Sequence, residues 1–409
     1  MSTQTADELA SETIDQDEAA QLRSPLERFG LSGKALEYGN WIAVAVGIYI
    51  LITAVNVIGD GFKSATGGQA EELFAFAENP LIALMIGVLA TGLIQSSSTT
   101  TSIVVGLAAG GLPMEICIPM LMGANIGTTL TSTLVSLGMV RDKESFRRGF
   151  AAASVHDMFN LFAVVIFLPL EMLTGILEKS SGWLSEQMAG SDGGIVAVIF
   201  GGIGAGVTAV TEPLADLIGM LAEWIPQPWG GILLIFIGIG LILSVINFIG
   251  SLLKVVMVGR AKQVLHSAIG RGPITGIFSG MLITIMVQSS STTTALVVPL
   301  AGSGTFSVKQ IYPFTLGANI GTTVTALIAA FAFSGVEAQF ALQAALVHLL
   351  FNLLATALIF GVPFLRVIPL KGAALLGELG ARKKLFVVAW VLGVFVVVPA
   401  VLIFLTVVL

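Results

Sequence analysis

Apolar residues in this chain run in long unbroken stretches separated by short charged segments, with no alternation of the kind a half-buried strand shows. A helix that crosses a bilayer needs about 20 mostly apolar residues. Stretches free of Lys, Arg, Asp and Glu lie at 41–59, 79–114, 116–140, 193–211, 229–253, 272–308, 310–336, 338–365 and 385–409. A tenth, 149–170, is interrupted by Asp157 alone. Two of them, at 36 and 37 residues, are too long for one crossing, and each holds a polar cluster near its middle. A helical hairpin that enters, turns at the polar cluster and leaves by the same face explains that length. Non-helical backbone at membrane depth survives where protein or a water-filled cavity satisfies it.

The polar clusters are copies of each other. QSSSTTT at 95–101 recurs at 288–294, and GANIGTT at 123–129 recurs at 317–323. The pattern H-x-x-F-N-L at 156–161 recurs at 348–353. The offsets are 193, 194 and 192 residues, so three motifs repeat in order at nearly fixed spacing. This predicts two structural repeats, 40–172 and 229–365, joined by a connection at 173–228 and followed by a last helix at 385–409.

Composition narrows the class. Hydrophobic residues make up 55% of the 409 and charged residues 11%, against about 25% charged in an ordinary soluble domain. Eleven of the 44 charges fall in the first 38 residues, eight of them acidic, which reads as a disordered, solvated, cytoplasmic tail at 1–38. A net charge of −6 argues against a nucleic-acid partner, and one cysteine, Cys117, excludes a disulfide framework or a multi-cysteine metal site.

Loop charge then sets orientation, because cytoplasmic loops favour Lys and Arg. Arg141, Lys143, Arg147 and Arg148 follow the second motif of the first repeat, whereas the matching loop at 334–339 has no basic residue. Lys254, Arg260, Lys262 and Arg271 precede the second hairpin, whereas Glu71, Glu72 and Glu78 precede the first, with Lys63 the lone base. Opposite patterns imply that the halves face opposite ways. The expected fold is an all-α polytopic membrane protein of two inverted-topology repeats, each with a re-entrant hairpin and broken helices. The expected place is the plasma (inner) membrane, multi-pass, with a cytoplasmic N-terminus. Glu212, Asp216 and Glu223 argue against a second span before Pro228, so 193–211 reads as re-entrant or interfacial.

Hydroxyls and an amide at a hairpin tip have two physical uses. Dehydrated Na⁺ takes several oxygens, and an anion takes hydroxyls, amide protons and the N–H groups at a helix start. Gln95, Ser96, Ser97 and Ser98, with Gln288, Ser289, Ser290 and Ser291, are therefore candidates for an anion site. GANIGTT is expected to break its helix and expose carbonyls to a cation. Asn125, Thr128, Thr129, Asn319, Thr322 and Thr323 are the added ligands. Asp157 is a carboxylate inside a candidate span, costly there and usually functional, and its repeat counterpart is Leu349. His156 and His348 read as hydrogen-bonding groups that lock helix contacts rather than as proton carriers. No nucleophile–base pair or metal-ligand cluster stands out, so an enzyme is not expected.

Two QSSS copies, each followed by G-x-N-I-G-T and then H-x-x-F-N, resemble the type II sodium-dependent phosphate cotransporter family, in a bacterial-type member. The resemblance covers about 41–360. It implies a symporter of inorganic phosphate, with Na⁺ as coupling ion and no cofactor. It places the serines and glutamines of both tips at the substrate. Sodium sites are implied at Gln95, and at Gln288 and Ser289 with Thr322 and Thr325. Ala318 stands where relatives often carry Ser, which removes one hydroxyl. Asp directly after the first-repeat His resembles the electrogenic members, implying three Na⁺ for each divalent phosphate. The hydroxyl hairpins do not name their anion, so sodium symport of another oxyanion or small carboxylate stays open, as does a channel or scaffold.

Overall fold

The structure is a computed structural model, described here for residues 24–67, 77, 79–128, 130–189, 194–269 and 271–408, with backbone alone at 130, 194–201, 253–268, 407 and 408. Every regular element among them is helical. In chain order these are α1 (Gly33–Thr66), α2 (Pro80–Ile94), α3 (Ser97–Ala109), α4 (Met114–Gly127), α5 (Leu130–Leu137), α6 (Lys143–Thr174), α7 (Ile176–Ala189) and α8 (Gly194–Gly219). Then follow α9 (Trp229–Ala268), α10 (Pro273–Val287), α11 (Ser290–Gly302), α12 (Val308–Ala330), α13 (Gly335–Ala355), α14 (Pro363–Arg382), α15 (Lys384–Leu392) and α16 (Val398–Val408). Among the described residues, six helical segments are long and apolar enough to cross a membrane: Gly33–Thr66, Lys143–Thr174, Trp229–Leu252, Val308–Ala330, Gly335–Phe360 and Lys384–Thr406.

Both over-long apolar stretches fold as helical hairpins, α2–α3 and α10–α11. Asn79 caps α2 by accepting the Leu81 amide, and Pro80 and Pro273 start their helices at the position where a missing N–H costs nothing. At 15 residues each, α2 and α10 reach about 22 Å. That is short of the roughly 30 Å hydrocarbon core, so neither crosses it alone.

The two halves pack by exchange. Helix α3 of the first half lies on α12 and α13 of the second, while α11 of the second lies on α5 and α6 of the first. Helix α7 packs on α13 as α14 packs on α6, and α1 packs on α9. One hydrophobic core therefore draws on both halves, with Phe167 edge-on to Phe351 at 5.8 Å.

Three expectations are corrected. The tail was to run to residue 38, yet from Ser24 the chain is folded. Pro25–Phe29 forms a 3₁₀ turn under a Ser24–Glu27 capping box, Ser24 Oγ donates to Asn40 Oδ1 at 2.7 Å, and α1 begins at Gly33. Residues 1–23 lie outside the described set, as do Glu71, Glu72, Glu78 and Thr129. The side chains of Lys254, Arg260 and Lys262 are outside it too. The stretch read as ending at 211 does not end there: from Gly194, α8 continues through Glu212 and Asp216 to Gly219.

The third correction concerns GANIGTT. In the first half α4 does end at Gly127, and α5 starts at Leu130. In the second half α12 runs unbroken from Val308 to Ala330, through the whole motif. Its glycines serve close approach instead. A Cβ on Gly317 would lie 1.9 Å from the Ile277 carbonyl oxygen, and one on Gly280 would lie 2.0 Å from that of Phe314. Gly123 and Gly87 stand in the same relation to Leu84 and Met120, at 2.1 Å each. Small residues at helix crossings in apolar surroundings let backbones touch, and dispersion then holds them.

Candidate substrate and ion site

The tips are built by one local device, used twice. Gln95 (φ 61°) and Gln288 (φ 54°) are the non-glycine residues with positive φ among those described. Left-handed backbone at such a residue costs about 1–2 kcal/mol. It is held by the Gln95 amide donating to Thr91 O at 2.8 Å and the Gln288 amide donating to Thr284 O at 2.7 Å. Each side-chain amide also folds back on its own helix, Gln95 Nε2 onto Gly92 O and Gln288 Nε2 onto Ile285 O. Strain at two matched positions, next to matched hydroxyl clusters, is a pointer to function.

The next residue starts the second helix of each hairpin. Ser96 Oγ accepts from the Thr99 amide and Ser289 Oγ from the Thr292 amide, both at 3.2 Å. These caps leave the amides of Ser97, Ser98, Ser290 and Ser291 with no intrahelical acceptor. Those four residues are buried, while Gln95, Ser96, Gln288 and Ser289 are half-buried.

The tips meet. Gln95, Ser96, Ser97 and Ser98 line one cavity of about 210 Å³ together with Gln288, Ser289, Ser290 and Ser291. Among the described residues that line it there is no Asp, Glu, Lys, Arg or His. Two helix N-termini, from halves about 193 residues apart in sequence, thus open onto the same neutral space. Each carries roughly half a positive charge.

The oxygens assigned to Na⁺ lie partly beside this cavity. Thr325 Oγ1 donates to Gln288 Oε1 at 2.9 Å, and Thr131 Oγ1 donates to Gln95 Oε1 at 3.3 Å. Thr131 is the repeat counterpart of Thr325, and the 194-residue offset is the signal in the sequence that points to it. Thr322 and Thr128 donate to the carbonyls of Ala318 and Ala124, both at 3.0 Å, which leaves their lone pairs free to accept or ligate. Thr128 O also accepts from Ser291 Oγ at 3.4 Å, and Ser132 Oγ and Thr294 Oγ1 are 2.8 Å apart. Thr323 turns its hydroxyl to Ile320 O at 2.7 Å inside the protein.

The two motif asparagines are committed elsewhere. Asn319 Oδ1 meets His156 Nε2, and Asn125 Oδ1 meets His348 Nε2 at 3.2 Å. Asn160 joins both pairs, accepting from Asn319 Nδ2 at 2.7 Å and donating to Asn125 O at 2.8 Å. Asn125 and Asn319 therefore bind the halves together through the amide oxygens that were expected to face a cation. Both histidines are fully buried in these contacts.

Asp157 sits in the interior of α6, 1% exposed. The nearby arginines are engaged at the helix start. Arg147 pairs with Glu144 at 2.6 Å, and Arg148 Nε donates to Gly302 O at 3.1 Å.

Asn247 and Ser251 of α9 also line the cavity. A signal for them existed: Ser244, Asn247 and Ser251 recur at helical spacing in an apolar stretch, as Thr53, Asn56 and Asp60 do in α1. Asn56 Nδ2 reaches across to Ala332 O at 3.2 Å.

The chain matches known proteins over both halves. The Na⁺/Pi-cotransporter family model matches residues 50–175 and again 241–366. Sodium-dependent phosphate transport protein 2A of Ovis aries is 31% identical, over 86% of this chain and 65% of that protein. Sodium-dependent phosphate transport protein 2B of Homo sapiens is 30% identical, over 86% of this chain and 63% of that protein. This chain thus spans about 65% of the length of such relatives. No solved structure matches it. Each matched segment carries all three repeated motifs in order, and on that ground the chain belongs to the Na⁺/Pi-cotransporter family.

Proposed function

We propose that this chain carries inorganic phosphate across a membrane in symport with Na⁺, by alternating access between its two halves. The observation that supports it most is the neutral cavity where both hairpin tips meet. Hydroxyls and free helix-start amides there suit an oxyanion. With no basic side chain among the described lining residues, the two helix dipoles together offset at most about one of the two charges of a divalent anion. Cations that bind alongside supply the missing positive charge, which is a physical reason for coupling.

In this reading Ser96, Ser97, Ser98, Ser289, Ser290 and Ser291 hold phosphate with Gln95 and Gln288. Gln288, Ser289, Thr322 and Thr325 form one sodium site, and Gln95 with Thr128 belongs to its counterpart. Asp157 adds a carboxylate for a third Na⁺, making uptake of divalent phosphate electrogenic. The repeats 40–172 and 229–365 act as inverted halves in the plasma membrane, with the N-terminus cytoplasmic, supported by the basic loop at 141–148.

Reconstituted into proteoliposomes, the protein is expected to take up labelled phosphate only under an inward Na⁺ gradient, with arsenate competing and sulfate not. Uptake indifferent to Na⁺ overturns the symport. Equal competition by sulfate shifts the substrate to tetrahedral oxyanions in general.

A further inference from the structure

Away from the hairpin tips the halves carry a second matched pair of cavities. One, of about 280 Å³, is lined by Pro273, Lys309, Tyr312, Pro313, Phe360 and Arg366. The motif offsets map Pro80, Glu115, Ile118, Pro119, Leu168 and Thr174 onto those six positions, and all of these line a cavity of about 490 Å³ in the first half. The charge is reversed between the two. Glu115, Glu171 and Glu178 outnumber Lys179 around the first-half cavity, whereas Lys309 and Arg366 are the described charged residues of the second.

The second-half cavity has unused binding capacity. Among the described residues, neither Lys309 nor Arg366 makes an ion pair. Tyr312 is 0% exposed and its hydroxyl has no hydrogen-bond partner there. Leaving such a group unsatisfied costs about 1–3 kcal/mol, so a ligand that accepts from it is favoured. Phe360 links the parts, with the Tyr312 ring 5.4 Å away and the Arg366 guanidinium 5.1 Å from its centroid. Among the described residues, the remaining wall is Gly272, Pro273, Pro313 and Leu370, with Gln310, whose side-chain oxygen accepts from Ser307 N at 2.9 Å, the one further polar side chain.

We propose that this cavity binds the phosphate headgroup of an anionic phospholipid. Arg366 and Lys309 pair with the phosphate, the Tyr312 hydroxyl donates to it, and an acyl chain lies along Leu370 and Phe360. Two cations and one hydroxyl at the edge of an apolar wall fit an amphiphile better than a free anion, which gains nothing from proline and leucine. Basic pockets between membrane helices are suited to such headgroups. The inference rests on the chain spanning a membrane, and not on which solute it carries.

Native mass spectrometry of the full chain in detergent, without Na⁺ or phosphate, tests this with phosphatidylglycerol and phosphatidylcholine as probes. Phosphatidylglycerol is expected to be retained about tenfold better. Arg366→Gln and Lys309→Gln are each expected to lower that retention about fivefold, the scale of one lysine or arginine near a charged membrane surface. Tyr312→Phe, which keeps the ring, should lower it about threefold or more, in line with one lost hydrogen bond. Glu115→Gln, at the mirrored position, should change nothing. Equal retention of the two lipids overturns the proposal, as does retention unmoved by both cation variants. Displacement of the lipid by millimolar inorganic phosphate overturns it in favour of a free-phosphate site. Sodium-dependent uptake in the same variants reports on the transport reading separately.

Discussion

His348 Nε2 of the second half lies 3.2 Å from Asn125 Oδ1 of the first, and His156 meets Asn319 in the reverse sense. The histidine and asparagine side chains of the repeated motifs thus recognise each other across the interface, and Asn160 adds a contact within the first repeat by donating to Asn125 O at 2.8 Å. This explains why GANIGTT and H-x-x-F-N recur together: each copy of one is the partner of the other copy of the second.

His348→Ala and Asn125→Ala should each destabilise the protein by about 1–3 kcal/mol, the cost of leaving a buried polar partner unsatisfied. The double variant should lose less than the sum, by about 1 kcal/mol, because the pair acts as a unit. Thermal unfolding in detergent reads the cycle. Strict additivity would separate the two residues energetically.

Thr325→Val removes the donor to Gln288 Oε1 and a hydroxyl next to the left-handed tip. The Na⁺ concentration for half-maximal uptake should rise about tenfold, equivalent to about 1.4 kcal/mol. A Na⁺ titration of phosphate uptake checks it. Unchanged sodium dependence would remove Thr325 from the sodium site.

Gly317→Ala should push α10 and α12 apart, since the new Cβ meets the Ile277 carbonyl at 1.9 Å. A loss of about 1–3 kcal/mol is expected from overpacking. Gly206→Ala on α8 meets nothing within 4 Å and is the control, expected to be neutral or slightly stabilising. Equal melting temperatures for the two variants would contradict the close-approach role of Gly317.

Arg141→Cys and Ser334→Cys, each in a Cys117→Ser background, test the inverted arrangement. Both positions are exposed, and Cys117 is buried. An impermeant thiol reagent should label them from opposite sides of sealed vesicles. Labelling from one side would refute opposed halves.

Asp157→Gly should keep sodium-coupled phosphate uptake but lose its current. One net charge couples transport to voltage by about 2.3 kcal/mol per 100 mV. The readout is uptake under an imposed potassium-diffusion potential. Wild-type uptake indifferent to that potential would overturn the role assigned to Asp157.

Much of this protein was determined by its sequence alone. Backbone in hydrocarbon must satisfy its own hydrogen bonds, so apolar run lengths dictate helices, and a polar cluster in an over-long run dictates a hairpin. That is why the tips at Gln95 and Gln288 are legible in the sequence. The repeat offsets likewise announced two matched halves. Tertiary structure decided what each polar atom does. Nothing local distinguishes a glycine that breaks a helix from one that lets two helices touch, and only the packed structure shows α12 running unbroken with Gly317 against α10. Asn125 and Asn319 offered a cation the same oxygens that the histidines took, and the choice fell to residues 223 and 163 positions away. The Tyr312 hydroxyl reads as one more aromatic in an apolar span until Arg366 and Phe360 are folded around it. Local pattern encodes the cost of exposing backbone to lipid, whereas a side chain's partner depends on contacts that exist only once distant helices have packed.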